Sequence, residues 1–219
     1  MDLKNKTAIF LGDSITEGAG TSCEENRYYC ILKRKYGLKE TIGYGVGGTR
    51  FAIQSVPSEI ESYDQYFSLR ADKMKMSADI VVIFGGTNDY GHGDAPLGEF
   101  SDRTPYTFYG ACHELFTKLI EKYPESVIVV VTHLHRVDEI KPREEGRKKA
   151  EVASLSVYVD IIKEVARYYS LPVCDLYANS GMQPSISVIR EKYMPDGLHP
   201  NDKGNEIIAD RLGEFLKSL

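Results

Sequence analysis

The chain has 219 residues, of which 42% are hydrophobic and 27% are charged, and its formal net charge is −5. This length suits one sizeable core better than two full domains, so we expect a single domain over residues 1–219. The acidic balance argues against nucleic acid as a partner, and the chain lacks both a signal-peptide pattern and the roughly 20 apolar residues of a membrane span, which predicts a cytoplasmic protein.

Five apolar runs predict the strands of a mostly parallel sheet. They are continuous and rich in β-branched residues, as in strands that are covered on both faces. The runs are residues 7–11, 40–44 (the weakest), 80–84, 127–132 and 171–174. Helical patterns alternate with them over residues 24–36, 107–123, 151–169 and 201–219. This alternation predicts a three-layer α/β/α domain that binds its ligand beyond the carboxyl ends of the strands.

The first strand is followed by Gly12-Asp13-Ser14. A serine at this place lies at the carboxyl edge of the sheet and at the start of a helix, whose dipole favours developing negative charge. The motif therefore predicts a nucleophile at Ser14. An alternative interpretation is that Asp13 or Ser14 only caps the helix.

The second strand leads into Gly43-Tyr44-Gly45-Val46-Gly47-Gly48, which satisfies G-x-G-x-x-G. That spacing is typical of dinucleotide-binding loops, but those occupy the first strand–helix turn and need a helix that begins at the glycines. Here the first turn holds Ser14, and Pro57 cuts short any helix after Gly48. We therefore expect the glycine backbone to approach a reacting group, with either Gly47 or Gly48 supplying the N–H.

Two further polar clusters follow later elements. Asn88, in the sequence GGTND after the third strand, has a neutral side-chain amide suited to stabilise an oxyanion, although a simple turn has the same composition. Near the carboxyl terminus, Asp196 precedes His199 by three residues. That spacing allows the carboxylate to orient the imidazole as a base toward a serine, and the alternative is a surface loop with an incidental histidine.

Taken together and in this order, these motifs resemble the SGNH hydrolase (GDSL esterase/lipase) superfamily from Gly12 to His199. The resemblance implies a flavodoxin-like α/β/α sandwich with five strands. It also implies Ser14 as nucleophile, His199 as general base and acid, and Asp196 as its orienting group. The oxyanion hole would be formed by the backbone N–H groups of Ser14 and Gly48 and by the side-chain amide of Asn88. No cofactor is implied.

Other polar and aromatic residues have less specific interpretations. His133 and His135 end the fourth predicted strand and share a face, so a metal site is one hypothesis, although pocket-lining or structural roles are favoured because no third ligand is evident. Arg50 either contacts an anionic group of a substrate or forms an exposed ion pair. Around the long loop over residues 90–106, Tyr90, Tyr106 and Tyr109 are candidates for shaping an acyl or sugar pocket.

The preferred function is a serine esterase that cleaves a small or short-chain acyl ester, such as an acetylated carbohydrate. Acyl transfer or thioester hydrolysis would use the same residues. A nucleotide-binding module built on the glycines, or a catalytically silent binding domain, is the alternative from a different class. The acyl length, the alcohol and the oligomeric state have no signal in the sequence.

Overall fold

The computed structural model describes residues 1–140 and 153–219 and contains a five-stranded sheet in which neighbouring strands are all parallel. The strands are β1 (Thr7–Gly12), β2 (Glu40–Gly45), β3 (Ile80–Phe84), β4 (Val127–Val131) and β5 (Val173–Cys174). Their order across the sheet is β2-β1-β3-β4-β5. This is the order of flavodoxin-like folds, so the predicted fold class is confirmed.

The strands were largely predictable because each is a continuous apolar run. β1 to β4 lie within one residue of the predicted ends. β5 is two residues long instead of the predicted four. Pro172 contributes its carbonyl, which accepts the N–H of Val130 at 3.0 Å, but it has no N–H to continue the ladder.

Helices cover both faces of the sheet. In the described ranges they are α1 (Ser14–Glu17), α2 (Tyr28–Tyr36), α3 (Phe67–Ala71), α4 (Thr87–His92), α5 (Phe108–Lys122), α6 (Leu155–Tyr168), α7 (Leu176–Asn179), α8 (Ser187–Tyr193) and α9 (Asp202–Ser218). Side chains alternate along β1: Ile9 and Leu11 pack with α3, α5 and α6, whereas Ala8 and Phe10 pack with α2 and α9. The two faces of one sheet thus form two cores and three layers.

Two of the four predicted long helices, α5 and α9, end within one residue of their predicted limits. The helix predicted over residues 24–36 is interrupted at Arg27, whose backbone is extended, because the side chain of Asn205 accepts the N–H of Tyr28 at 3.0 Å and starts α2 there. The helix predicted from residue 151 is described from Leu155, and residues 151 and 152 lie outside the described residues.

Residues 176–195 carry no clear helical or strand pattern in the sequence, yet they contain α7 and α8. Helices of four and seven residues are too short for apolar periodicity to reveal them. None of the helices in the described part of the chain is long and apolar enough to span a bilayer.

Candidate active site

Ser14 is the first residue of α1 and lies directly beyond the carboxyl end of β1. The carboxylate of Asp13 accepts the N–H of Ile15 at 3.0 Å and caps this short helix. Asp13 is therefore the cap, which leaves the Ser14 hydroxyl available for other contacts. The strand-to-helix turn places that hydroxyl at the edge of the sheet, beside the N-terminus of α1.

Ser14, His199 and Asp196 form a continuous relay across 185 residues of sequence. The Ser14 Oγ lies 3.0 Å from His199 Nε2, and His199 Nδ1 lies 2.6 Å from the Asp196 Oδ2. An ionised carboxylate can only accept hydrogen bonds, so Nδ1 carries the imidazole proton and donates it to Asp196. Nε2 then holds a lone pair that accepts the Ser14 hydroxyl proton.

Asp196 is held by its own loop. Its Oδ1 accepts the backbone N–H groups of Leu198 at 2.9 Å and of His199 at 2.7 Å. Partial burial raises the pKa of Asp196, but these N–H groups and the imidazole of His199 outweigh it and hold the pKa below its ordinary range. The carboxylate therefore remains ionised at neutral pH and keeps the imidazole oriented.

Asp13 has the opposite electrostatics. Its side chain is only 2% exposed, and burial raises its pKa from 3.8 to about 6, with partial compensation by the N–H of Ile15 and the charge of His199. A raised pKa in the folded state stabilises the protein while Asp13 is protonated, and this contribution is lost as the pH rises from about 4 through about 6.

We expect Asp13→Asn to remove this pH dependence while keeping a good helix cap, because Asn and Asp cap helices equally well. The free energy of unfolding of the wild type, measured by urea denaturation relative to Asp13→Asn, should fall by up to about 3 kcal/mol between pH 4 and pH 7. A difference that stays constant over this range would contradict the buried acid.

Gly45 at the end of β2 and Gly48 in the loop after it each permit a different close contact. A Cβ on Gly45 would lie 2.1 Å from the backbone nitrogen of Glu17, so this glycine lets β2 pack against α1. Gly48 has φ +73°, in the left-handed region, and a Cβ there would lie 2.2 Å from the ring of Tyr63. The next helical turn begins only at Glu61, so the loop lacks the helix that a dinucleotide fingerprint requires.

Gly47 and Gly48 differ in the partners of their N–H groups. The N–H of Gly47 donates to the carboxylate of Glu17 at 2.8 Å. Both glycines line the cavity that contains Ser14. Because the Gly47 N–H already has a charged acceptor, the geometry favours Gly48 as the donor to a reacting oxygen.

Asn88 lies in the first turn of α4, directly after β3. Its side chain is 5% exposed, and Nδ2 donates to the carbonyl oxygen of Thr49 at 3.0 Å. This bond fixes the plane of the amide, whose NH₂ group carries two hydrogens. The neighbouring Asp89 accepts the N–H groups of Phe51 at 3.0 Å and Ala52 at 2.9 Å. The segment that follows Gly48 is thus bonded to α4 on both sides of Arg50, through Thr49 before it and through Phe51 and Ala52 after it.

Ser14, Gly48, Asn88 and His199 line one cavity of about 400 Å³. It lies at the carboxyl ends of β1 and β3, where the chain changes direction across the sheet, which is the usual ligand site of such folds. The rest of its wall includes Tyr63, Tyr90, His92, Arg136 and Asp138. Of these, only Tyr90 was predictable from the sequence, because the others lie in segments without a recognisable motif.

His133 and His135 lie outside this cavity. His133 is fully buried, and burial lowers its pKa to about 3, so it is neutral. His135 Nδ1 lies 2.8 Å from the carboxylate of Glu139. Within residues 1–140 and 153–219, no group of three or more His, Cys, Asp or Glu side chains could hold a metal ion.

Arg50 is buried, with 3% of its surface exposed, so the prediction of an exposed ion pair is wrong. Its guanidinium donates to Asp64 at 2.7 Å, to Ser58 at 2.6 Å and to the ring of His92 at 3.1 Å. These partners are far enough along the chain that the sequence could not reveal them. Two tyrosines also lie outside the cavity, Tyr106 and Tyr109.

Known proteins share the sequence pattern and the fold of this chain. A model of the GDSL-like lipase/acylhydrolase family matches residues 10–207. An acetylxylan esterase of Xylanibacter ruminicola is 24% identical over an alignment of 243 positions, gaps included, that covers 94% of this chain and 42% of that protein. The chain therefore spans less than half the length of the curated relative it matches.

Two solved structures are similar over nearly the whole chain. A protein from Lactobacillus plantarum is 29% identical with a TM-score of 0.82 and coverage of 98% of each chain. A two-domain esterase active on acetylated mannans is 21% identical with a TM-score of 0.63, over 97% of this chain and 49% of the other. At that identity the second likeness concerns the fold alone.

Proposed function

Since the chain belongs to the GDSL-like lipase/acylhydrolase family, we propose that it is a serine hydrolase that cleaves small or short-chain acyl esters through an acyl-enzyme intermediate. The observation that carries this proposal is the relay from Ser14 through His199 to Asp196, at 3.0 Å and 2.6 Å. It opens into a cavity that also exposes Gly48 and Asn88.

In the first half of the reaction, Ser14 Oγ attacks the acyl carbonyl carbon while His199 Nε2 takes the hydroxyl proton. The resulting imidazolium is stabilised by Asp196, which stays ionised throughout. When the carbon–oxygen ester bond breaks, His199 returns the proton to the leaving alcohol. The acyl group is then bound to Ser14 as an ester.

Negative charge develops on the carbonyl oxygen during this attack. We assign its stabilisation to the backbone N–H groups of Ser14 and Gly48 and to the side-chain amide of Asn88. Ser14 contributes because the first N–H groups of a helix have no partner within the helix. In the second half of the reaction, His199 deprotonates a water molecule that releases the acyl group by the same route.

For the substrate, we propose an acetylated carbohydrate or another ester with a short acyl group. The relative named as an acetylxylan esterase supports this class. The cavity of about 400 Å³ lies toward the small end of ligand sites, which range from roughly 300 to 1,000 Å³. Tyrosine, histidine, arginine and aspartate side chains in its wall suit a hydroxylated alcohol.

This predicts a strong preference for short acyl groups. Among p-nitrophenyl esters, kcat/KM for the acetate should exceed that for the octanoate by at least about tenfold, because an eight-carbon chain would bury polar wall groups such as His92, Arg136 and Asp138. Acetylated xylose oligomers should release acetate under the same conditions. Equal kcat/KM for acetate and octanoate would contradict the proposed substrate size.

Acyl transfer and thioester hydrolysis would use the same three residues, because these reactions differ in the acceptor or leaving group. Adding an alcohol such as methanol to the ester assay and quantifying the methyl ester against the free acid separates transfer from hydrolysis. Assaying acetyl-thioesters beside the oxygen esters separates thioesterase from esterase activity.

A further inference from the structure

Arg70 is a buried cation that the proposed mechanism does not use. It lies on α3 beneath the carboxyl edge of the sheet and is 5% exposed. Burial lowers its pKa to about 10, and the charge of Asp13 opposes this shift, so the guanidinium stays charged at neutral pH. It is absent from the cavity wall and therefore acts through other groups.

The guanidinium donates four hydrogen bonds to the structures that carry the candidate site. Nη2 donates to the carbonyl of Gly12 at 2.9 Å and to the hydroxyl of Thr49 at 2.8 Å. Nη1 donates to the carbonyl of Tyr44 at 2.6 Å, and Nε to that of Gln65 at 2.9 Å. One rigid group thereby joins the ends of β1 and β2 to the loop after the glycines.

Thr49 extends these connections into the cavity. It is fully buried and follows Gly48 directly. Its hydroxyl donates to the carbonyl of Val46 at 2.7 Å while accepting from Arg70. Its own carbonyl accepts the side-chain amide of Asn88 at 3.0 Å. Thr49 therefore closes the turn over Gly47 and Gly48 by its bond to Val46, and it also holds the amide of Asn88.

We propose that Arg70, through Thr49, is a positioning residue that aligns the three oxyanion donors with one another. This inference rests on the proposed esterase function. Ser14 follows Gly12 by two residues, Gly48 adjoins Thr49, and Asn88 binds the Thr49 carbonyl. Each donor is therefore linked to the guanidinium through Gly12 or through Thr49. Only a planar fork can hold these acceptors together, since a lysine ammonium lacks that fixed geometry.

The test removes the Thr49 hydroxyl and leaves its backbone carbonyl in place. Thr49→Val should lower kcat for p-nitrophenyl acetate by between about tenfold and 10²-fold, because small displacements of aligned groups have effects of this size. KM should stay within about twofold, since the donors act on the transition state and not on the bound ester. Thr49→Ser restores the hydroxyl and should recover kcat to within about threefold of the wild type.

A second readout follows the oxyanion directly. Ethylboronic acid forms a tetrahedral anion on an active-site serine and so imitates the charged intermediate. Its inhibition constant should rise in Thr49→Val in proportion to the loss of kcat/KM, as expected of a transition-state analogue. The matched control is Thr117→Val. Thr117 lies on α5, away from the cavity, and its hydroxyl donates to the hydroxyl of Tyr169 at 3.0 Å.

The outcomes separate this inference from the proposed function. A wild type without esterase turnover or boronate inhibition overturns the function and the inference with it. If the wild type is active, the inference alone is overturned when kcat of Thr49→Val is unchanged. It is also overturned when Thr49→Ser and Thr117→Val lose as much kcat as Thr49→Val does. If Thr49→Val fails to fold, Arg70→Lys replaces it: a tenfold or larger fall in kcat at constant KM supports the role, and unchanged kcat rejects it.

Discussion

Replacing Ser14 with alanine is expected to lower kcat for p-nitrophenyl acetate by roughly 10⁶-fold, as for other serine hydrolases that lose their nucleophile. The Ser14 Oγ is the atom that lies 3.0 Å from His199 Nε2, and no covalent acyl-enzyme can form without it. The fold should be retained, because Asp13 rather than Ser14 caps α1. Thermal unfolding monitored by circular dichroism checks this.

The same variant is tested chemically with a fluorophosphonate probe, followed by mass spectrometry of the labelled peptide. The wild type should be labelled at Ser14, and Ser14→Ala should not be labelled. Ser218→Ala, which removes an exposed hydroxyl at the end of α9, is the matched control and should be labelled like the wild type. A wild type that is neither labelled nor able to hydrolyse short esters would exclude the hydrolase, and tight binding of NAD or FMN would then favour the nucleotide-binding alternative.

Replacing Asn88 with alanine is expected to lower kcat by roughly 10²–10³ and to leave KM nearly unchanged. The amide is held at the cavity wall by its bond to Thr49, so in the proposed mechanism it would meet the developing oxyanion without reorganisation. In the ground state the carbonyl oxygen carries little charge, so the lost donor affects the transition state far more than substrate binding. Steady-state kinetics with p-nitrophenyl acetate provide both constants.

Asn179→Ala is a suitable control for this experiment. Its side chain is exposed at the end of α7 and donates only to the carbonyl of Asp175 among the bonds described for it. It should keep the kcat of the wild type. If kcat of Asn88→Ala is also unchanged, Asn88 has no part in the mechanism. If KM rises instead while kcat stays constant, the amide binds substrate and does not stabilise the oxyanion.

The two replacements are expected to differ in residual activity. Ser14→Ala removes the covalent pathway, whereas Asn88→Ala keeps the pathway with one stabilising donor fewer. Because residues of one site act together, their combined effect should be smaller than the product of the two losses. Ser14→Ala/Asn88→Ala is therefore expected to resemble Ser14→Ala in kcat.

Much of the fold was predictable because it depends on local patterns. Continuous β-branched runs such as residues 80–84 are typical of strands that are buried on both faces, and the helical patterns between them favour crossover connections. Short helices were not predictable, because they contain too few residues to show apolar periodicity. α7 depends on a capping bond from Asp175, and the break before α2 depends on Asn205, 177 residues away.

The candidate site could be predicted in part for a related reason. Ser14 and Asn88 lie two and four residues after the ends of buried strands, and parallel strands bring their carboxyl ends to one edge. Asp196 and His199 were recognisable as a local pair three residues apart. Arg70, by contrast, carries no signal in the sequence, since a lone arginine on a short helix is usually exposed.

The sequence by itself determined where the strands and the main helices form and which polar residues follow the strands, because strand formation and capping depend on neighbours in the chain. The tertiary structure decided which backbone groups remain available at the site. Glycine spacing alone left Gly47 and Gly48 equivalent, and the carboxylate of Glu17 distinguishes them by occupying the Gly47 N–H. Arg50 is buried for a similar reason, since its acceptors come from three separate segments. Hydrogen bonds between distant segments form only when the chain is folded, and these bonds determine which polar groups at the candidate site are already paired.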